Sequence, residues 1–226
     1  MLLAMSAWMR LMLGEAEAAA PALASPLPGA LPPERERIRR ALHTAVTNHP
    51  LHRELVQVHG LGGCQYFAFA GAMALEALGL GRAEVALGRV AFRAGRPGGR
   101  PNGRPYWVGY PAARADVRVP DPAQERQEAE AFPFHAWIRL TGPDGRRCII
   151  DFDLSNVLRE VRLRVPGERF DLHPVATGAF WGSAMEARAA GLRFEVQRRM
   201  TADALLAGDR SVFEDIAGEA CARLRP

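Results

Sequence analysis

Between Pro133 and Phe152 the chain commits itself to an antiparallel pair of strands. Pro133 to Leu140 alternates as a strand, Gly142-Pro143-Asp144-Gly145 supplies the turn, and Arg146 to Phe152 reads as the partner. Proline presets φ for a turn, aspartate bonds its own backbone, and glycine takes the positive φ that other residues avoid. With the turn centred between Pro143 and Asp144, residue 136 faces 151 and residue 135 faces 152. His135 and Asp151 then come within reach of each other on neighbouring strands. The hairpin therefore constrains chemistry as well as topology, because a carboxylate beside an imidazole fixes its tautomer and favours its charged form.

A second segment supplies what such a histidine would serve. Gly62-Gly63-Cys64 is followed by an apolar run in which Phe67, Ala70, Ala74, Leu75 and Leu78 keep a helical repeat up to Gly79. The pattern predicts a sharp turn at the glycines and a mostly buried helix with Cys64 in its first turn. A thiol attacks as thiolate, and a helix N-terminus and a neighbouring imidazolium both favour that form. Cys64, His135 and Asp151 thus read as nucleophile, base and orienting acid. Asp153, two residues on and on the same strand face as Asp151, is the alternative acid.

The 226 residues, with an apolar fraction of 48%, suffice for one substantial core. All the positive charge is arginine, since the sequence contains no lysine. A P-loop, a pyridoxal Schiff base and a protein kinase each require a lysine, so those classes are excluded. The net charge of +4 is dispersed, without a basic stripe carrying interleaved aromatics, and nucleic-acid binding is not expected. Cys64, Cys148 and Cys221 form no CxxC pair and no disulfide framework. Cys148 lies in the strand-like run 147–150 and Cys221 in a C-terminal helix without a nearby histidine, so both read as packing residues. No cofactor is expected and no metal. His43, His49, His52 and His59 match no closed site, and the Asp151/Asp153 pair lacks a third ligand nearby.

Residues 1–33 read as a short helix and a Pro/Ala-rich linker, and residues 34–226 as a single domain. No stretch approaches a membrane span, and the apolar N-terminus has no basic n-region and is interrupted by Arg10, which favours a cytoplasmic protein over a secreted one. Ile38, Leu42 and Val46 predict an amphipathic helix from Pro33 to Asn48, and Glu84 to Phe92 a strand. An insertion at about 94–131, rich in glycine, proline and arginine, reads as a long loop of the kind that forms lids. Further on, Val161 to Val165 alternates as a strand, Thr201 caps a short helix, and Ser211 to Leu224 predicts a last amphipathic helix.

The segments around Cys64, His135-Ala136-Trp137 and Ile150-Asp151, in that order, resemble the papain-like transglutaminase superfamily over roughly Leu61 to Leu154. The 16-residue gap from His135 to Asp151 is similar to the family's, whereas the 71 residues from Cys64 to His135 exceed that of its compact members, as the insertion would explain. The resemblance implies an α+β fold with the nucleophile helix packed on an antiparallel sheet. It implies a cysteine-dependent hydrolase acting on an amide or peptide bond through an acyl-enzyme, with Cys64, His135 and Asp151 as triad. The oxyanion would be held by the Cys64 backbone N–H and an upstream donor: the Gln57 side chain first, with His59 and the backbone near Gly62 and Gly63 as rivals. Trp137 would lie beneath the site. A peptide, protein or small amide is the implied substrate. Two other readings stay open: acyl transfer to an amine, and a non-enzymatic binding module on the same fold.

Overall fold

A computed structural model describes residues 31–59, 63–95, 106–111, 134–165, 169–172, 178–201 and 207–225. The expected N-terminal helix and linker, most of the insertion and the Thr201 helix lie outside the described residues. The chain is α+β. Its order is α1 (Pro33–Asn48), α2 (Pro50–His59), α3 (Cys64–Ala77), β1 (Arg82–Gly95), β2 (Tyr106–Tyr110), β3 (His135–Thr141), β4 (Arg147–Asp151), α4 (Leu154–Arg164), β5 (Arg169–Phe170), β6 (Phe180–Gly182), α5 (Ala184–Ala189), β7 (Leu192–Met200) and α6 (Ala207–Ala222).

One seven-stranded antiparallel sheet organises the rest. β1 has β3 and then β2 along one side, with β7 and β5 on the other, and β4 and β6 continue outward from β3. Because strand side chains alternate, the sheet separates two cores. Val85, Leu87, Ala136, Ile138 and Ile150 meet α1, α3 and α6 on one face. Ala86, Val90, Phe92, Trp137 and Phe194 meet α4 and α5 on the other. α3 is apolar nearly all round, with Phe67, Phe69, Ala70, Ala74 and Leu75 buried. Each large side chain among them contributes about 1.5–3 kcal/mol on burial. Leu78 and Gly79 end the helix, the glycine at φ 72°.

Three expectations need correction. Val161–Val165 is not a strand: Leu154, Val157, Leu158 and Val161 repeat at helical spacing and are all buried, so α4 absorbs the segment, with Arg162 and Arg164 near the negative end of its dipole. The insertion is not all loop, since Tyr106–Tyr110 forms β2 on the C-terminal half of β1. The third concerns the hairpin. Pro143-Asp144-Gly145 is a three-residue loop with Gly145 at φ 79°, the Gly145 N–H donating to the Gly142 carbonyl and the Gly142 N–H to that of Arg146. The register is therefore Ile138↔Ile150 and Thr141↔Arg147, one residue away from the expected one. In the expected register His135 and Asp151 would have pointed to opposite faces; in the observed one they are diagonal neighbours on the same face.

Candidate active site

The site lies at the rim of the sheet, where β3 begins with His135 and β4 ends with Asp151. β1 changes partner there, from Gly88↔His135 on β3 to Val90↔Tyr110 on β2, so the imidazole stands between the ends of two strands. His135 is fully buried, and its Nε2–H donates to Asp151 Oδ2 at 2.7 Å. The other Asp151 oxygen accepts the Asp153 backbone N–H at 3.0 Å, so both carboxylate oxygens are engaged. Burial opposes protonation of the imidazole, but the Asp151 charge and hydrogen bond, with the Cys64 sulfur adding to them, hold its pKa well above the ordinary histidine value. Trp137 is 1% exposed and stacks on His135 with ring centroids 6.0 Å apart.

Cys64 approaches from α3, which packs on the opposite face of the sheet and overhangs the rim with its first turn. Gly63 is its N-cap, and the first intrahelical bond runs from the Phe67 N–H to the Gly63 carbonyl. The N–H groups of Cys64, Gln65 and Tyr66 therefore have no acceptor within the helix. Gly63 has ordinary helical angles, φ −68° and ψ −19°, so its lack of a side chain serves space rather than conformation. A Cβ there would lie 3.0 Å from Nε2 of His52, which is 8% exposed and edge-on to Tyr66 and Phe67.

Cys64 Sγ, a ring nitrogen of His135 and a carboxylate oxygen of Asp153 lie within 4.8 Å of one another. With Nε2 committed to Asp151, the ring position left for the thiol is Nδ1, which is buried and finds no oxygen or nitrogen partner. Asp153 caps α4 in position only. Its side chain accepts no backbone N–H of the helix, taking instead the Asn156 amide at 2.6 Å on Oδ1. Burial, with Asp151 adding to it, pushes the Asp153 carboxyl up to about 6, against the pull of His135, Asn156 and Arg159.

The three residues put forward as a triad are thus together, and Asp151 rather than Asp153 holds the imidazole. Asp153 is no bystander, however, and the expectation that no third metal ligand stands near the acidic pair does not hold, since Cys64 and His135 flank Asp153. Gln57 and His59 belong to α2, but their side chains, like Gly62, lie outside the described residues. Sequence reasoning missed Tyr110 and Arg164. The Tyr110 ring is 6.5 Å from His135, and the Arg164 guanidinium lies over that same Tyr110 ring, 5.3 Å from its centroid, as a cation–π partner. The aromatic run Tyr106-Trp107-Val108-Gly109-Tyr110 was the signal that could have found β2. Among the described residues neither Cys148 nor Cys221 joins such a group: burial pushes both thiols up, and Cys221 donates to the Ala74 carbonyl at 3.8 Å.

No helix among the described residues is long and apolar enough to cross a membrane. No family model, no curated protein and no solved structure matches this chain.

Proposed function

We propose that the protein is a cysteine-dependent hydrolase of the papain-like, transglutaminase-like kind, cleaving an amide or peptide bond through an acyl-enzyme. The observation that carries this reading is the fully buried His135, bonded at 2.7 Å to Asp151 through Nε2 and left with Nδ1 beside a thiol at a helix N-terminus. A structural histidine satisfies both ring nitrogens within the scaffold; this one leaves Nδ1 to the Cys64 thiol alone.

Cys64 sulfur adds to the substrate carbonyl carbon, its proton going to His135 Nδ1. The oxyanion forms at the start of α3, where the Cys64 backbone N–H and the positive end of the helix dipole stabilise it. Collapse breaks the C–N bond as Nδ1–H protonates the leaving amine, which leaves a thioester on Cys64. His135 then takes a proton from water, the hydroxide adds to the thioester, and the carboxylic acid departs as the sulfur regains its starting form. Asp151 keeps the ring aligned throughout.

Iodoacetamide is expected to label Cys64 faster than Cys148 and Cys221 by roughly tenfold or more. Peptide mapping after partial labelling reads this, and equal rates at the three thiols would sink the proposal. Cys64→Ala should leave the fold intact and lower amide or thioester hydrolysis by a factor on the order of 10⁴ or more.

A further inference from the structure

We propose that Cys64, His135 and Asp153 form a binding site for a thiophilic divalent cation, zinc above all, which when bound masks the nucleophile. The masking rests on the thiol-enzyme reading, whereas the binding rests on geometry alone. Sulfur, imidazole nitrogen and carboxylate oxygen are the donor set of zinc, and thiolate turns away the hard cations magnesium and calcium. The three atoms are at most 4.8 Å apart. Around tetrahedral zinc such atoms lie about 3.3–3.6 Å from one another, so closure needs side-chain adjustments of about 1 Å.

Two independent features favour this occupant. His135 Nδ1, on a fully buried side chain, finds no oxygen or nitrogen partner and faces only the Cys64 sulfur, a fellow ligand of the proposed ion. The ring's other nitrogen donates to a carboxylate at 2.7 Å, the outer arrangement by which metal-binding histidines are oriented and made better donors. Asp151 has both oxygens engaged and belongs to that outer layer; Asp153, turned away from the backbone N–H groups of the helix it caps, supplies the third ligand. The Cys64 thiolate, the Asp153 carboxylate and a neutral imidazole balance the double charge of the ion within its own ligand shell. One proton leaves to solvent as thiolate and neutral imidazole take the ion, and water takes the fourth position.

The test is a cobalt titration of the chelator-treated full chain carrying Cys148→Ser and Cys221→Ser, followed by displacement with zinc. One equivalent is expected, with a thiolate-to-cobalt band in the near ultraviolet and the intense visible bands of a four-coordinate ion. Cys64→Ser should remove the ultraviolet band, and Asp153→Asn and Asp151→Asn should each weaken binding by about tenfold to a hundredfold. X-ray absorption of the zinc-loaded chain, free of any substitution at the site, should show one sulfur among light-atom neighbours. The inference is overturned by the absence of a band, by a band that survives Cys64→Ser, by a folded Asp153→Asn protein with unchanged affinity, or by a sulfur-free first shell. Iodoacetamide separates the two proposals. Selective labelling of metal-free Cys64 without metal binding leaves the enzyme reading standing alone. Metal binding with unselective labelling leaves the site and removes the enzyme. Zinc protection of a selectively labelled Cys64 supports both.

Discussion

The two halves of the site are built on different terms. His135 and Asp151 are 0% and 1% exposed, fixed by the ladders of β3 on β1 and β4 on β6, and bonded to each other. Cys64 is only partly buried, at the first turn of a helix whose backing is aromatic: His52, Tyr66, Phe67 and Phe213 pack ring on ring behind it. The sheet half cannot change without leaving a buried charge or polar atom unpaired, whereas the helix half is held by shape. It follows that the acid–base pair should be inseparable from the fold, while the nucleophile should be a chemical group the fold can do without.

The largest expected effects test that contrast directly. Asp151→Ala removes one partner of a buried pair and strips the Asp153 N–H of its acceptor, so a loss of about 3–5 kcal/mol is expected in urea unfolding. Cys64→Ala removes one sulfur from a partly exposed position and should stay within about 1 kcal/mol of the parent. Equal losses in the two variants would break the comparison. Asp151→Asn, which keeps the shape, should recover part of the stability but little of the activity, with turnover down on the order of 10⁴-fold because the wrong ring tautomer is favoured.

A middling effect is expected at the seam between the halves. Gly63→Ala suits the helical angles there and reduces unfolded-state freedom, a gain of about 0.4–1 kcal/mol. Against it, the new methyl meets His52 Nε2 at 3.0 Å and Phe67 at 3.6 Å, and overpacking of this kind costs about 1–3 kcal/mol. A net loss near 1 kcal/mol is predicted, together with a changed rate of Cys64 alkylation as the first turn shifts. The double variant Gly63→Ala/His52→Ala should lose less than the sum of its parts, and strict additivity in the cycle would show that the two side chains do not press on each other.

How much of this was legible in the sequence follows the range of the interactions. The Cys64 helix was readable because its repeat and its glycine stop are local, and the hairpin because Gly142-Pro143-Asp144-Gly145 is turn chemistry in one tetrapeptide. The register was not, because the same four residues serve a loop centred half a residue earlier, and only the three-residue form puts His135 and Asp151 on one face. α4 is masked in the sequence because Val161 to Val165, its last turn and C-cap, alternates by itself; burial of Leu154, Val157 and Leu158 outweighs that. β2 owes its state to pairing with β1, and the approach of Asp153 to Cys64 spans 89 residues, so neither leaves a local trace.

The smallest effect concerns pH and the aromatic backing of the helix half. Burial, with the nearby His43 and His49 adding to it, holds the His52 pKa below the ordinary value, and burial together with Arg39 does the same for His43. A histidine with a depressed folded pKa binds fewer protons native than unfolded, so its stabilising share is complete above the unfolded value near 6.5 and is lost as pH falls through the region below it. Urea midpoints measured at pH 7.5 and pH 5 should therefore fall more in the parent than in His52→Phe, which keeps the ring and cannot take up a proton. Cys64 alkylation should follow the same difference, since protonated His52 would press a charge against Gly63 and the turn that presents the thiol. If the two proteins lose the same stability on acidification, His52 is only a ring among rings, and the helix half of the site is as indifferent to protons as the sheet half is dependent on them.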